Sequence, residues 1–181
     1  SHFGEVDGIT VSGDVWTVRP VGGAANVPMT SYSAVADDAL GDDDVVGLLR
    51  RLARRDVSAA ELTAAAIERA VQADRELGAL ASERFDQARA EVADQPGGPF
   101  AGIPTALKDM VDVRGLPTRF GSDAFPTAKP AKRNDPLVDQ MIDLGMTIIA
   151  KTTMPEFGFI PSTEFPDAPP TRNPWNLERS A

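Results

Sequence analysis

Lys108 is the first residue of this sequence whose type and position suggest chemistry. It ends the short apolar run Ile103 to Leu107 and is followed directly by Asp109. Side chains alternate along a strand, so the lysine and the aspartate would face opposite sides, and the carboxylate would not neutralise the amine directly. Burial disfavours the charged form of a lysine, and a neutral lysine can act as a general base. The alternative is a Lys-Asp pair at the water boundary of a strand end, with the lysine stem lying along the surface.

Few other groups in the sequence could serve as a base or a nucleophile. There is no cysteine, and the single histidine is His2, close to the first residue. Disulfides, thiolate nucleophiles and cysteine-ligated metals are therefore excluded, and a Ser-His-Asp triad or a His-based metal site has no candidate inside a folded domain. A hydrolase of this sequence would need a different base. We expect no metal and no cofactor.

Composition and charge indicate which kinds of binding partner the protein is expected to have. The 181 residues are 42% hydrophobic and 25% charged, which is typical of a globular protein, and the formal net charge is −9. A nucleic-acid surface needs a basic face, so we expect no nucleic-acid partner. No apolar run approaches the roughly 20 residues of a membrane span, and no basic-then-apolar leader begins the sequence. We therefore expect a cytoplasmic protein without a membrane partner; a homodimer is among the assemblies that the sequence allows.

Residues 1–36 differ in pattern from the rest of the chain. Apolar and polar residues alternate around Ile9, Val11, Val15 and Val18, with glycines between them, which is typical of a small hairpin. The alternative is an N-terminal extension or a tag-derived segment, because Met29 opens a more ordinary start. We expect residues 1–36 to be such an extension and residues 37–181 to be the domain proper.

Two S/T-x-x-E patterns predict helix starts. Ser58 and Glu61 form the first, ahead of a long alanine-rich helical pattern. Thr153 and Glu156 form the second and predict a short helix, with Glu156 as the capping partner of the threonine. Ser122 is expected to make a turn or a supporting hydrogen bond.

A strand–helix–strand pattern comes after the break at residues 96–99. Ile103 to Leu107 and Met146 to Ala150 read as buried strands. Between them, Asp135-Pro136 predicts a helix start, and Leu137, Met141 and Leu144 are its predicted apolar face. The resulting fold class is α/β: a mixed, largely parallel central sheet covered by helices.

From about residue 161 the chain is rich in proline and is predicted to be a loop. Asn173-Pro174 predicts a turn, and Trp175 is expected to be a packing anchor. A domain rarely closes on an open sheet followed by a long loop, so we expect the chain to be truncated.

Three blocks resemble one known family. GPFAGIPTALKDMVDVRGLPTRFGS resembles the lysine block of the amidase signature family; AKTTMPEF is similar to that family's KTN-x-PEF; and TRNPWNLERSA is similar to the segment that leads into its Gly/Ser-rich loop. The helical stretch DVSAAELTAAAIERA also resembles the family's N-terminal helix pair. The blocks occur in the order and spacing of the family and cover roughly residues 40–181.

The resemblance implies a fold, a reaction and a site. The fold would be the amidase signature fold, of which this chain supplies only the N-terminal helices and first strands, truncated before the Gly/Ser-rich catalytic loop. The reaction would be hydrolysis of a small-molecule carboxylic amide by a Ser–cisSer–Lys triad. Lys108 matches the catalytic lysine, and both serines would lie in the remainder of the amidase polypeptide. Met154 and Phe157 are expected to border the substrate's acyl group, and Asp109 to orient the lysine loop by accepting backbone N–H bonds.

Two other functions remain open at this point. One is the glutaminase-type subunit of a tRNA-dependent amidotransferase, which shares the signature; Met110 in place of that group's usual asparagine weighs against it. The other is a non-catalytic interaction domain that lacks the serines.

Overall fold

The chain is described here from a computed structural model, which covers residues 30–94, 96–166 and 168–181 in full and the backbone of residues 9–12 and 15–18. Its helices are α1 to α4 at Val45–Arg54, Ala59–Leu77, Phe85–Glu91 and Pro136–Asp143. Its strands are β1 to β7 at Ile9–Ser12, Val15–Val18, Leu80–Glu83, Ile103–Lys108, Met146–Thr152, Arg172–Asn173 and Asn176–Ser180. Short 3-10 turns occupy Val92–Asp94 and Glu156–Gly158.

A three-stranded sheet forms the centre of the structure, in the order β3-β5-β4. β4 pairs with β5 in parallel, as the strand–helix–strand pattern predicts, and β3 pairs with β5 in antiparallel fashion. The predicted mixed sheet is confirmed. β3, a four-residue strand between two helices, has no counterpart among the strands predicted from the sequence.

Helices cover both faces of the central strand, because consecutive residues of β5 point in opposite directions. Ile148 packs with Leu107 and Val138 in one core cluster, on the side of α4. Ile149 packs with Ile67 and Ala88 in another, on the side of α2 and α3. A strand buried on both faces reads as a nearly continuous apolar run, and Met146 to Ala150 is such a run apart from Thr147.

The first capping box has the predicted geometry. The Ser58 side chain accepts from Glu61 N, and the Glu61 carboxylate accepts from Ser58 N at 2.8 Å. The hydrogen bond from the Ser58 hydroxyl, followed by that from the backbone, lowers the pKa of Glu61 from its ordinary value. This box fixes the start of α2.

The start of α4 is also confirmed, but its predicted apolar face is only partly right: Met141 packs against the core cluster, whereas Leu137 does not. Asp135 caps the helix by accepting from Leu137 N, and Pro136 is the first helical residue. Leu137, however, is 49% exposed, and Val138 is fully buried. Val138, Met141 and Ile142 all pack in the cluster that contains Ile148, because residues three and four apart lie on the same face of a helix.

Strands β1 and β2 pair as an antiparallel hairpin, which is the hairpin alternative for the N-terminal segment. Residues 1–8, 13–14 and 19–29 lie outside the described part, and the division of the chain at residue 36 stays a prediction. Residues 30–32 contact the C-terminal hairpin β6-β7: Tyr32 N donates to Pro174 O at 2.8 Å, and Leu177 N donates to Thr30 O at 2.9 Å. β6 and β7 themselves overturn the prediction that the whole segment after residue 161 is a loop.

Candidate active site

Lys108 is the last residue of β4 and lies opposite Thr152 at the carboxyl end of β5. Its side chain is exposed, and among the described residues its amine has no hydrogen-bond or ion-pair partner. In the described chain Lys108 therefore lies exposed at a strand end, and its role as a base stays a prediction. Strand alternation is the reason for the exposure: Leu107 and Asp109 take the two buried positions, and Lys108 takes the opposite face.

Asp109 is buried and anchors the turn that follows β4. Its backbone N–H donates to Thr152 O at 3.0 Å, and its carbonyl accepts from Phe120 N at 3.1 Å. Its Oδ2 accepts from Arg119 N at 3.1 Å. The prediction that this aspartate accepts a backbone N–H bond in the lysine loop is confirmed. The hydrogen bonds of Asp109 consequently fix the backbone position of its neighbour Lys108.

The buried lysine of this sheet is Lys151, which was not among the site residues predicted from the sequence. Its side chain is 0% exposed, and its Nζ lies 2.5 Å from Asp109 Oδ1. The same amine donates to Pro117 O at 2.9 Å and to Thr118 Oγ1 at 2.8 Å. The available signal was the same as for Lys108, since Lys151 also ends an apolar strand run. Its acidic partner is distant in sequence, and no local pattern identifies it.

The two predicted substrate contacts lie in different environments. Met154 is 2% exposed and packs against the backbone at Gly121, where an added Cβ would lie 2.2 Å from Met154 O. Phe157 is 42% exposed and has a left-handed backbone at φ 49°. Their roles toward a substrate stay predictions.

Phe157 belongs to a chain of aromatic side chains on the surface. Its ring meets Phe125 edge to face at a centroid distance of 6.1 Å, and the centroid of Phe159 lies 6.3 Å from that of Phe157. Phe120 extends the chain, with its centroid 6.3 Å from that of Phe125. The turn after β5 and the loop after β4 are therefore joined by apolar contacts.

The second predicted capping box does not form. Thr153 Oγ1 instead interacts with Ala79 O and with Thr171 Oγ1, and the turn at Glu156–Gly158 has no side-chain cap. Glu156 Oε1 accepts from the Ser122 hydroxyl at 2.6 Å, and Ser122 Oγ accepts from Ala124 N at 3.1 Å. The supporting role predicted for Ser122 is confirmed, and the capping role predicted for Glu156 is wrong because tertiary partners win over the local pattern.

Two open cavities meet at Gly121, between the loop after β4 and the segment after β5. One has a volume of about 290 Å³ and the other of about 340 Å³. The cavity of about 290 Å³ is lined by Gly78, Leu80, Ala81, Asp109, Arg119, Gly121, Ser122, Asp123, Thr153, Phe165, Ala168 and Pro169. Asp109 thus connects this cavity to the end of the strand that carries Lys108.

The Asn173-Pro174 turn is confirmed, and the predicted role of Trp175 is wrong in the described chain. Asn173 Oδ1 accepts from Trp175 N at 2.9 Å, which closes the turn between β6 and β7. The indole is 79% exposed because a residue at the tip of a two-residue turn points away from both strands.

Within the described ranges, no group of three or more histidine, cysteine, aspartate or glutamate side chains is arranged to hold a metal ion. In that same part of the chain, no helix is long and apolar enough to cross a membrane.

A family model described as Amidase matches residues 61–181. The chain belongs to the amidase family. The match includes both lysine-bearing strands, the loop between them and the C-terminal hairpin, so the whole candidate site lies inside the family's domain.

Relatives with curated names agree with this assignment. The chain is 39% identical over 153 residues to the "Putative amidase AmiC" of Mycobacterium leprae, covering 84% of this chain and 32% of that protein. It is 38% identical over 143 residues to a glutamyl-tRNA(Gln) amidotransferase subunit of Acidothermus cellulolyticus, covering 74% of this chain and 28% of that protein. The chain therefore spans about a third of the length of these relatives.

The fold also matches solved amidase structures. The 6-aminohexanoate cyclic dimer hydrolase superposes with a TM-score of 0.71 at 31% sequence identity, covering 76% of this chain and 29% of the hydrolase. The amidase family fold predicted for the chain is thus confirmed.

Proposed function

We propose that the protein to which this chain belongs hydrolyses a carboxylic amide, R-CO-NH-R′ plus water giving acid plus amine, with Lys108 as the general base. The observation that carries the proposal is the position of Lys108 in a chain of the amidase family. It lies at the carboxyl end of a parallel strand, where ligands of open α/β sheets bind, and its amine has no partner among the described residues.

The proposed mechanism uses a Ser–cisSer–Lys triad. An amide is a poor electrophile and a serine hydroxyl is a weak nucleophile, so a base must remove the hydroxyl proton as the C–O bond forms. In the proposal the neutral Lys108 amine takes a proton from a bridging serine, which in turn takes the proton of the nucleophilic serine. Backbone N–H groups would stabilise the oxyanion, and the lysine and the bridging serine would return the proton to the amine as the C–N bond breaks. Water, deprotonated by the same two groups, would then attack the acyl-serine, and breakage of the serine ester bond would release the acid and restore the serine hydroxyl.

Both serines are proposed to come from sequence outside these 181 residues. The curated relatives are about three times as long as this chain, which leaves room for a Gly/Ser-rich catalytic loop. The same additional sequence is proposed to cover the exposed amine of Lys108 and exclude water from it. A base of this type needs such cover, because an amine in bulk water is protonated at neutral pH.

The substrate is proposed to be a small-molecule amide in the cytoplasm. Phe157 and the aromatic side chains around it offer an apolar surface near the carboxyl end of β5, which favours contact with an acyl or aryl group. Met154 would act through the shape of the pocket floor, since it is buried beneath Gly121.

The test uses the full-length enzyme and a panel of aliphatic, aryl and peptide amides together with free glutamine. Replacing Lys108 with alanine is expected to lower kcat/KM by about 10³-fold or more, which is the scale of a lost general base. Lys132→Ala, at another exposed lysine, is the matched control and should leave turnover unchanged. Retained turnover in the Lys108 variant would refute the assignment of the base.

A glutaminase-type amidotransferase subunit is the second candidate, favoured by the 38% identity to a subunit of that enzyme. It predicts that glutamine is the only hydrolysed member of the panel and that its hydrolysis rises when partner subunits and misacylated tRNA are added. Failure to hydrolyse any member, with or without those additions, would favour the non-catalytic interaction domain.

A further inference from the structure

We propose that Lys151 is a positioning residue for Lys108. Its buried ammonium group compensates the charge of Asp109 and holds the end of β4, so that the Lys108 amine leaves the sheet on the opposite face with no uncompensated carboxylate beside it. The inference rests on the proposed function, in which Lys108 is the base.

The contacts of Lys151 leave it no capacity for chemistry of its own. An ammonium group has three N–H donors. Here the three neighbours are Pro117 O, Thr118 Oγ1 and Asp109 Oδ1, all within 2.9 Å of Nζ. With a side chain that is 0% exposed, this amine cannot reach a substrate. Lys151 can therefore affect the reaction only through the groups that it contacts.

The contacts of Lys151 hold Asp109, the residue next to the proposed base. Asp109 binds Lys151 through Oδ1 and Arg119 N through Oδ2, while its backbone N–H bonds to Thr152 O. The same lysine binds the loop at Pro117 and Thr118. One buried cation thus ties together the end of β4, the strand β5 and the loop between them.

The charge balance of this cluster acts on Lys108. A buried ion pair that loses one partner leaves an uncompensated charge in a poorly solvated place. Loss of the Lys151 charge would leave a carboxylate next to Lys108 and favour its protonated, non-basic form; loss of the Asp109 charge would leave a cation and favour its neutral form. The other charged side chains on the segments around the pair, residues 80–84, 110–123 and 153–158, are Glu83, Arg84, Asp112, Arg114, Arg119, Asp123 and Glu156. Arg84 is bound to Glu91, and the others are exposed to solvent, which screens them.

The test compares three variants of the full-length enzyme: Lys151→Met, Asp109→Asn and the double variant. We expect Lys151→Met to lower kcat by about tenfold or more with KM nearly unchanged. We expect the acidic limb of its kcat/KM–pH profile to move to higher pH. The acidic limb of Asp109→Asn should move to lower pH, and that of the double variant should return toward the wild-type position. Lys132→Met is the matched control.

The outcomes separate positioning from plain structural support. Equal losses of kcat in all three variants with unmoved limbs would show a structural role and overturn the proposal, as would wild-type kcat in Lys151→Met. If Lys151→Met does not fold, the proposal is tested by comparing the acidic limb of the kcat/KM–pH profile of Asp109→Asn with that of the double variant. A downward shift that the double variant cancels supports the proposal, and two unmoved limbs overturn it.

A second readout does not depend on activity. The rate at which acetic anhydride modifies Lys108 is measured by mass spectrometry across a pH series, with Lys132 as the internal reference. The pH at which the modification rate of Lys108 is half-maximal should rise in Lys151→Met and fall in Asp109→Asn. An inactive wild-type protein whose Lys108 shows these shifts would refute the proposed function and support the positioning role. Midpoints that do not move would overturn the positioning role, whatever the activity.

Discussion

Arg69 and Asp38, 31 residues apart in sequence, form a two-pronged ion pair in which Nε binds Oδ2 at 2.7 Å and Nη2 binds Oδ1 at 2.6 Å. The same guanidinium also donates to Gly41 O at 2.6 Å. The pair ties the segment ahead of α1 to the middle of α2. Planar pairs of this kind have the fixed geometry that single contacts between long side chains lack.

The pair predicts a specific dependence of stability on pH. The hydrogen bonds from Arg69 are the largest cause that lowers the pKa of Asp38 from its ordinary value of 3.8. A carboxylate with a lowered pKa contributes stability above its unfolded pKa, and this contribution is lost as pH falls through the lower folded value. Asp38→Asn should therefore cost about 1–2 kcal/mol of unfolding free energy at pH 7 and progressively less below about pH 4.

The measurement is urea unfolding of both proteins from pH 7 down to pH 3. The amide side chain of the Asp38→Asn variant keeps an oxygen that can accept from the turn at Leu40 and Gly41, so the difference isolates the charge. Asp37→Asn, at the exposed neighbour, is the control. A difference between wild type and Asp38→Asn that stays constant across the series would contradict the role of the ion pair.

The face that α4 buries gives a second prediction. Val138 is fully buried among Leu107, Val113, Leu116 and Ile148, and Leu137 is half exposed. Val138→Ala removes two buried methyl groups and leaves a small cavity, so it should lower the unfolding free energy by about 2 kcal/mol.

Leu137→Ala removes more atoms and should change the unfolding free energy by only about 0.5 kcal/mol, because the site is exposed. Guanidinium chloride titrations of the two variants give the comparison. A larger loss in the leucine variant would mean that the helix is rotated about its axis, with Leu137 rather than Val138 facing the sheet.

A pair of glycines provides the third prediction. Gly121 and Gly78 both have left-handed backbones, at φ +65° and φ +61°. An added Cβ at Gly121 would lie 2.2 Å from Met154 O, whereas at Gly78 it would meet nothing within 4 Å. Gly78→Ala should cost about 1 kcal/mol for the backbone conformation alone, and Gly121→Ala about 3 kcal/mol or more.

Thermal unfolding followed by circular dichroism measures both variants against wild type. The difference between the two losses isolates the contact of the Gly121 loop with Met154, because the backbone cost is common to both. Equal losses would show that this loop can move away from the segment after β5.

The parts of the fold that local chemistry determines were predictable from the sequence. The box at Ser58 and Glu61 and the Asp135-Pro136 helix start are set by residues within one turn of each other, and both have the predicted geometry. The pattern at Thr153 and Glu156 has the same form but makes no box, because each side chain finds a partner on a distant segment.

The parts that depend on long-range pairing were not predictable in this way. β3 has only four residues, and its partner β5 lies far along the chain. The ion-pair partners in the candidate site were also not predictable, because they too lie far apart in the sequence. Lys108 and Lys151 both end apolar strand runs, and only the arrangement of β4 beside β5 shows that the buried amine belongs to Lys151.

The strand order β3-β5-β4 has a consequence for biosynthesis. The middle strand is the last of the three to be translated, so among the described strands the two earlier ones have no hydrogen-bonding neighbour in this sheet until residue 152 has left the ribosome. Until then the nascent chain carries two unpaired strands, whose free edges bind other unpaired edges readily. Chaperone contact during synthesis should therefore concentrate on the interval between the emergence of β4 and that of β5.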